Sequence, residues 1–585
     1  MKKRFISLFS ILVIVPYTFF ATTSCTFEDI FDHVTEEQKK LDKDKNNDGG
    51  EIREENYDFV ITPQNVTGDF RTFFQNILNN YSNILIKAGV YDIELINSNG
   101  LKPKDGSTIT FEKNAKIKVK PNNLSFYNVI DLSGKKNITI KNPNLEGDKY
   151  THLGSTGQWG HGINIVDCSN ITIHNAYATK FWGDGIYMRN CENIKIHNAN
   201  LPDNRRQGIS ITSGHNIEIH NLIAESTGGH DPGYGIDIEP NWNRDNVTKL
   251  RIYKPILRNN GKGVSSYTAG FSFSAHMSHL IHPQDTRLVD ANYDIEIFDP
   301  VFEGDALIVS APTNYVKGSI KIHNPTFYRS KKSAVYINNH QSDFFKTEII
   351  NPKFIDCVEA PANRHSVYLA PITITCFKHL SHRDVGNRNI TITNPVFEAS
   401  SKAKYKVAAI RNSTTNFFKD DLKNVTITNV LSKGYEIPFF NYTGSPSTNS
   451  HPHSSFSLTF SEKGELPSLP LTYGNTISKM FDGGAINYTL NNSQSTIYLD
   501  NDIPISNFEF YYTNNSKDKS PLKILFGTKK QPSKAYIAKL YNKGRLNGIE
   551  IPYGGYIKMT KSYVDNEGIQ HWTVTKASDN VRGIN

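Results

Sequence analysis

Two carboxylates stand two positions apart in the segment "DPGYGIDIEPN" at 231–241. Asp237 and Glu239 alternate there with Ile236 and Ile238, a period-two pattern that predicts a short strand with one apolar face. The acids would share the opposite face, ~6.5 to 7 Å apart along the strand. Carboxyl groups ~6.5 to 9.5 Å apart can serve as proton donor and proton acceptor when a glycosidic bond is hydrolysed.

The elements that must position these acids are sequence repeats. One phrase recurs every 23 residues, as "CSNITIHN" at 168, "CENIKIHN" at 191 and "GHNIEIHN" at 214. A second alternating phrase precedes each copy, as "HGINIVD" at 161, "DGIYMRN" at 184 and "QGISITS" at 207. Repeats of this length with two period-two strands predict the coils of an all-β parallel solenoid. Weaker copies run from "NITIKNPNLEGD" at 137 to "NVTITNVLSKG" at 424.

Stacking the coils predicts which residues meet on the outside. When the second phrases are aligned on Gly162, Gly185, Gly208 and Gly235, the isoleucines point inward and two columns point outward. The first column is Asn164, Tyr187, Ser210, Asp237, and the second is Val166, Arg189, Thr212, Glu239. We therefore expect Asp237 and Glu239 to face solvent side by side.

Other charged residues fall in the same region. Asp184 precedes the glycine two coils before Asp237, which places it ~10 Å away along the axis. Arg205 and Arg206 end the coil between them. The predicted catalytic residues are Asp237, Glu239, Asp184 and Arg206. The alternative is that the acids only form salt bridges with neighbouring arginines.

Aromatic residues concentrate in these coils as well. Three of the four tryptophans, Trp159, Trp182 and Trp242, lie here, and flat indoles suit stacking on sugar rings. Burial at the coil corners is the alternative for each of them. The predicted substrate-binding residues are these tryptophans with His161, Tyr187, Arg205, His230, Asp231 and Tyr234.

Several motifs resemble a known superfamily. The chain from about 58 to 445 resembles the right-handed parallel β-helices of the pectin-lyase-like superfamily, and "FRTFFQNILNNYSNILIKAGVYDI" resembles their opening, an amphipathic capping helix and a strand. The set "GQWGHGINI", "FWGDGIYM", "NRRQGISI" and "GIDIEPN" resembles bacterial and phage-tail β-helix proteins taken to act on polysaccharides. The polygalacturonase pattern does not fit, because "GHG" precedes the acids here.

Two reactions and one binding role remain open. A glycoside hydrolase would use the carboxylates and need no cofactor. A polysaccharide lyase would use Arg206 to neutralise a uronate, His230, His161 or Tyr234 as base, and possible calcium held by Asp237 and Glu239. A non-catalytic glycan-binding surface protein is the third reading. We favour the hydrolase, because carboxylates outnumber candidate bases in the outward columns.

The N-terminus predicts export. Residues 1–24 have the basic, apolar and small-residue regions of a signal peptide and resemble a bacterial lipoprotein signal, with Cys25 as the lipidated residue. Residues 25–57 form a charged tether whose acids resemble the surface-export signals of Bacteroidetes lipoproteins. We expect an outer-membrane or cell-surface lipoprotein, held to the membrane by its lipid alone.

Composition and the C-terminal region complete the expectations. The net charge of +8 arises from 65 basic and 57 acidic residues that are spread along the chain, so we expect a polysaccharide partner and no nucleic acid. We expect a monomer, with a trimer as the alternative, and no metal site. After a β-helix over 58–445, alternating strands without coil spacing predict a separate antiparallel β domain over 455–585.

Overall fold

A computed structural model describes residues 56–441 with internal gaps, and separate strands beyond them. The gaps fall at 98–99, 243–244, 265–268, 276–290, 360–369, 377–384, 407, 413–421 and 436. The predicted signal peptide, Cys25 and nearly all of the tether lie outside the described residues. Among the residues described, no helix has the length and apolarity needed to cross a membrane.

The repeats form a solenoid whose strands pair in parallel in three sheets, here named A, B and C, and most coils give one strand to each sheet. Sheet A contains Phe59–Ile61, Asn83–Ile86, Thr108–Phe111, Lys136–Lys141, Ser169–His174, Cys191–His197, Gly214–His220, Val247–Tyr253, Ala291–Phe298, Val316–His323, Phe345–Ile350, Asn387–Thr393, Leu422–Lys433 and Phe456–Phe460. Sheet B contains Gly89–Ile93, Ala115–Val119, Asn144–Glu146, Tyr177–Thr179, Asn200–Pro202, Ile223–Glu225, Ile256–Arg258, Val301–Glu303, Thr326–Tyr328, Lys353–Ile355 and Val396–Glu398. Sheet C contains Phe126–Asp131, Trp159–Val166, Ile186–Arg189, Ile209–Ile211, Ile236–Ile238, Phe271–Ser274, Leu307–Ala311, Val335–His340, Ile372–Thr375, Ala408–Asn412 and Ile437–Asn441.

Isoleucine columns fill the interior of the coils, as the alignment predicts. Ile163, Ile186, Ile209 and Ile236 are fully buried, and each pairs with its equivalent in the next coil of sheet C. Burying one such side chain stabilises the fold by about 1.5 to 3 kcal/mol. Stacked identical side chains therefore fix the register, because a slip of one residue would turn the whole column outward.

The glycine before each of these strands is required by a close approach of the backbone. A Cβ atom added at Gly208 would lie 2.6 Å from the carbonyl oxygen of Gly235 and 2.8 Å from the Cβ of Ala224. Neither neighbour is the flexible end of a side chain. The absence of a side chain at Gly208 thus allows the backbone to pass close to its neighbours where the strand of sheet C begins.

The first phrase of each repeat builds two ladders beside sheet A. The amides of Asn170, Asn193 and Asn216 each donate to the asparagine one coil earlier, at 2.9, 3.0 and 2.7 Å. The rings of His174, His197 and His220 stack with centroids 5.0 and 4.9 Å apart. These asparagines have positive φ angles, which asparagine tolerates better than most residues. Identical residues thus stack in register.

The segment at 70–93 forms a helix and a strand, as predicted. The helix Phe70–Asn80 begins after Asp69, whose carboxylate accepts a hydrogen bond from the Thr72 N–H at 2.8 Å. Phe70, Phe74, Ile77 and Leu78 are the buried residues of this helix.

The last part of the chain differs from the expected layout. Phe456–Phe460 pairs in parallel with Leu422–Lys433, so sheet A continues beyond the predicted boundary at 445. The strands after it form two sheets that mix parallel and antiparallel pairs, so the purely antiparallel arrangement is wrong. One sheet contains Thr476–Ile477, Thr496–Leu499, Leu522–Phe526, Gly548–Ile551 and Arg582–Ile584, and the other contains Ala485–Leu490, Asn507–Asn514, Ala535–Ala538, Tyr556–Val564 and Gln570–Ala577. The division into two domains stays a prediction.

Candidate active site

Two polar columns run side by side along the outer face of sheet C. The first column has the predicted register, with Tyr187 paired to Ser210, Ser210 to Asp237, and Asp237 to Ser272. The other column differs from the predicted second column. It consists of the residues immediately before Gly162, Gly185, Gly208 and Gly235, here called the corner glycines, and these residues are His161, Asp184, Gln207 and Tyr234. Their coils are joined by hydrogen bonds from the N–H of Gly162, Gly185 and Gly208 to the carbonyls of Asp184, Gln207 and Tyr234 in the next coil, at 3.0 to 3.1 Å.

Arg206 brings two of the predicted carboxylates together. Its Nη1 lies 3.3 Å from Oδ2 of Asp184, and its Nη2 lies 2.8 Å from Oε2 of Glu239. The guanidinium is almost fully buried, and so is Asp184, whereas Glu239 keeps 19% of its side chain exposed. Arg206 therefore forms salt bridges with Asp184 and Glu239, and no ion pair joins it to Asp237 among the described contacts.

Gln207 joins Asp237 to this group. Its side-chain Nε2 donates to Oδ2 of Asp237, and its Oε1 accepts from Nη1 of Arg206 at 2.9 Å. Ser210 contacts the same oxygen of Gln207 and also donates to Oδ2 of Asp184 at 2.8 Å. Sequence reasoning missed Gln207, although its place before Gly208 put it in the same column as Asp184.

The predicted exposure of the acids is wrong for Asp237. Its exposed fraction is 1%, that of Asp184 is 0%, and only Glu239 keeps appreciable contact with solvent, at 19% of its side chain. An outward position on the strand did not give solvent contact because polar side chains pack over the sheet. Gln207 and Arg206 are among them and are themselves buried.

Burial changes the acidity of the two enclosed aspartates. It raises the pKa of Asp237 well above the ordinary value, and the negative charge of Glu239 raises it further, while Arg206 opposes the shift. Burial also raises the pKa of Asp184, although Arg206 and the Ser210 hydrogen bond act against it. A carboxyl group of raised pKa therefore lies in the same cluster as a carboxylate that is ion-paired with Arg206, and such a difference in environment can separate an acid from a base.

The aromatic and imidazole groups of the site are poorly suited to accept protons. Burial, followed by the charge of Arg206, lowers the pKa of His161 to about 3. Its Nδ1 accepts from the backbone N–H of Asp184 at 3.2 Å, and its ring stacks on Tyr187 with centroids 5.0 Å apart. Burial and the nearby acids raise the pKa of Tyr234. His161 is therefore a neutral, weakly basic ring.

Four buried polar atoms of this cluster make no hydrogen bond of ordinary geometry in the described structure. They are Oδ1 of Asp184, Oδ1 of Asp237, Nε of Arg206 and Oγ of Ser272. Buried polar atoms are almost always paired in stable folds, so four in one cluster mark a place built for something other than stability. Both aspartate oxygens are acceptors when ionised and can carry a proton when neutral.

Trp182 and Arg205 belong to the packing of a coil corner. The indole of Trp182 is 8% exposed and lies between the His152 ring, 3.8 Å away, and the Arg205 guanidinium, 3.6 Å away. Arg205 also donates to the carbonyls of Gly157 and Trp182. Both side chains are therefore enclosed at the coil corner, which is the alternative given for Trp182, and their role in substrate binding stays a prediction.

Other predicted binding residues remain at the surface. Trp159 is 48% exposed and Trp242 is 45% exposed. His230 and Asp231 lie on the exposed turn before Tyr234, where His230 Nδ1 is 2.8 Å from the Asp231 carbonyl.

The two residues predicted to hold calcium in a lyase already contact other side chains. Oδ2 of Asp237 accepts an N–H from Gln207, and Oε2 of Glu239 is ion-paired with Arg206, so the calcium site stays a prediction. Among the described residues, no group of three or more histidines, cysteines or acids is arranged to hold a metal ion.

The sequence matches one family model, described as "Right handed beta helix region", over residues 76–271. This match and the parallel sheets confirm the predicted right-handed parallel β-helix. The search of curated proteins finds no match.

Solved structures with this architecture are similar to the chain. The A-module of mannuronan C-5 epimerase AlgE4 from Azotobacter vinelandii has a TM-score of 0.47 and 12% identity, with 66% of this chain and 100% of that chain covered. The catalytic unit of a GH87 α-1,3-glucanase from Streptomyces thermodiastaticus has a TM-score of 0.33 and 11% identity, covering 67% and 65%. PfbA, a surface adhesin of Streptococcus pneumoniae, has a TM-score of 0.37 and 11% identity, covering 88% and 96%. At such low values these similarities carry no argument about chemistry.

Proposed function

We propose that the protein is a glycoside hydrolase that cleaves a polysaccharide with Asp237 as general acid and Glu239 as general base or nucleophile. The observation that carries the proposal is the pairing of a buried carboxyl of raised pKa with a solvent-contacting carboxylate held by Arg206. Asp237 would donate a proton to the glycosidic oxygen as its bond to the anomeric carbon breaks, with the bonding electrons going to that oxygen. As general base, Glu239 would take a proton from the water whose oxygen bonds to the anomeric carbon. As nucleophile, it would bond to that carbon first and then be displaced by the water oxygen, with the ionised Asp237 taking the proton of the water.

Asp184 and Arg206 would support this pair. Arg206 places its positive charge between the carboxylates of Asp184 and Glu239, while burial raises the pKa of the neighbouring Asp237. Catalysis also requires the substrate to displace what covers Asp237, since its exposed fraction is 1%. The exposed rings of Trp159 and Trp242 would stack on sugar units of the bound substrate.

Two observations favour hydrolysis over elimination. A lyase needs an arginine or a cation to neutralise the uronate, but both terminal nitrogens of Arg206 already contact carboxylates. It also needs a base, and His161, with a pKa of about 3, is a weak one. Export as a surface lipoprotein remains a prediction that accompanies this function.

The proposal is tested with the purified full-length chain on a panel of neutral and uronate glycans. Reducing ends and ultraviolet absorbance are recorded together, with and without a chelator. We expect reducing ends without absorbance, and no chelator effect. Absorbance rising with the reducing ends would show elimination, and binding without product would show a glycan-binding protein.

Isosteric variants then assign the site. Asp237→Asn and Glu239→Gln keep side-chain shape, so folding should persist while turnover falls by about 10²- to 10⁴-fold for each lost acid or base. Circular dichroism and thermal unfolding serve as the folding control. Full activity in both variants would mean that this cluster is not the active site.

A further inference from the structure

The side chain of Gln207 has a fixed orientation inside the carboxylate cluster. Arginine carries only donors, so the Gln207 atom 2.9 Å from Nη1 of Arg206 has to be the amide oxygen. The amide nitrogen is then the atom that faces Oδ2 of Asp237. This choice rests on chemistry, because a reversed amide would place two donors against each other.

A fixed amide also decides where Asp237 can hold a proton. An oxygen that accepts an N–H is the carbonyl-type oxygen of a neutral carboxyl group, so Oδ2 takes that role. The hydroxyl hydrogen is left with Oδ1, which is buried and makes no hydrogen bond of ordinary geometry in the described structure. Ser272, paired with Asp237 in sheet C, lies close enough for its hydroxyl to lower the pKa of this carboxyl group. Oδ1 is therefore the oxygen of Asp237 that carries the proton.

We propose that Gln207 is a positioning residue that places the transferable proton on Oδ1 of Asp237. This inference rests on the proposed hydrolase function, to which it adds an atom and a supporting residue. When the proton leaves for the glycosidic oxygen, the Gln207 N–H stays on Oδ2 and stabilises the carboxylate that forms. The amide oxygen meanwhile keeps Arg206 oriented towards Asp184 and Glu239.

The charged groups around Asp237 act in two directions. Glu239 and Asp184 oppose its ionisation, and Arg206 favours it. The phenol of Tyr234 lies near the same charges. Removing the Gln207 N–H takes away a hydrogen bond to the charged form, so the neutral form of Asp237 should persist to higher pH.

The test reads the carboxyl group directly by infrared difference spectroscopy of the full-length chain at neutral pH, without substrate. The wild type minus Asp237→Asn spectrum should contain the carbonyl band of a neutral carboxyl group. In Gln207→Leu this band should move to higher wavenumber, because its carbonyl oxygen has lost a hydrogen bond. Gln341→Leu, which changes another buried glutamine outside the cluster, should leave the band in place.

Kinetics provide the second readout on whichever glycan the wild type cleaves. In Gln207→Leu the alkaline limb of the pH profile of kcat should move to higher pH, which a merely structural role would not produce. Gln207→Glu places a carboxyl oxygen against Oδ2, draws the proton there, and should lower kcat by about 10²- to 10⁴-fold while moving the band. This variant keeps the side-chain shape if the leucine variant fails to fold.

Two results would overturn the inference. One is a wild-type spectrum without a band that Asp237→Asn removes, which would mean that Asp237 is ionised. The other is a band that neither Gln207 variant moves. Because the band needs no substrate, a protein that cleaves no glycan would refute the hydrolase while leaving the proton position measurable.

Discussion

The same coils have two outer faces, one of which repeats the same residue from coil to coil, whereas the other has a different residue in each coil. On the sheet A side, Asn170, Asn193 and Asn216 repeat one residue and pass one hydrogen bond from coil to coil. On the sheet C side, the column before the corner glycines changes at every coil, from His161 to Asp184 to Gln207 to Tyr234. The repeated face pairs its amides, whereas the varied face leaves buried oxygens unpaired. A column that stays the same holds the solenoid together, and a column that changes marks a site.

The sharpest way to test this contrast is to neutralise one glutamate on each face. Glu239→Gln on the varied face should lower kcat by about 10²- to 10⁴-fold, because it removes a base or nucleophile. Glu192→Gln, an exposed glutamate on the repeated face, should change nothing. Steady-state rates of reducing-end release measure kcat for both variants. Equal losses of kcat would show that the sheet C face is no more important for catalysis than the sheet A face.

Alanine in place of a glycine should also separate the faces. Gly208→Ala pushes a methyl group against the Gly235 carbonyl and the Ala224 side chain, so we expect a loss of about 1–3 kcal/mol. Gly214→Ala should cost about 1 kcal/mol or less, because it meets the end of Ile217 and its column carries Cys168 and Cys191 in earlier coils. Denaturant unfolding measures both, and a larger cost at Gly214 would contradict the close approach at the corner.

A third prediction concerns pH. The folded pKa of Asp237 is raised, so between the ordinary value of 3.8 and the folded pKa the folded chain holds the extra proton, and stability falls as pH rises through that window. Each pKa unit corresponds to about 1.4 kcal/mol. Asp237→Asn should remove this loss and raise the melting temperature at neutral pH more than at pH 4.

That comparison has its own control. The buried His161 and His340 have lowered pKa values, about 3 and about 4, so they weaken the fold as pH falls below 6.5 in wild type and variant alike. Their contribution cancels in the difference between the two proteins. A melting temperature for Asp237→Asn that is lower than wild type at neutral pH would show that the carboxylate supports the fold.

The smallest expected loss of stability comes from a change in the asparagine ladder. Asn193→Gly breaks two amide hydrogen bonds but keeps the positive φ angle accessible, so it should cost about 1 kcal/mol. It should leave kcat unchanged. A kinetic defect from this change would mean that the two faces are coupled through the coil.

Much of the fold was predictable because repetition encodes it. The spacing of 23 residues fixed the stacking of Ile163 on Ile186 and of His174 on His197. The column alignment also brought Asp184, Arg206 and Glu239 together correctly. The repeats do not show which side chains pack over the outer face of sheet C. The burial of Asp237 and the enclosure of Trp182 by His152 depend on side chains from other coils whose sequence does not repeat.

The asparagine ladder has a consequence for how such a molecule changes length over evolution. Each amide gives its hydrogen to the coil before it and offers its oxygen to the coil after it, so every rung is interchangeable with the next. Duplicating or deleting one 23-residue unit leaves the rungs complete on this side. Deleting residues 191–213 would shorten the solenoid by one turn and remove Arg206 and Gln207 with it. The architecture can grow or shrink freely, while the chemistry depends on keeping particular turns.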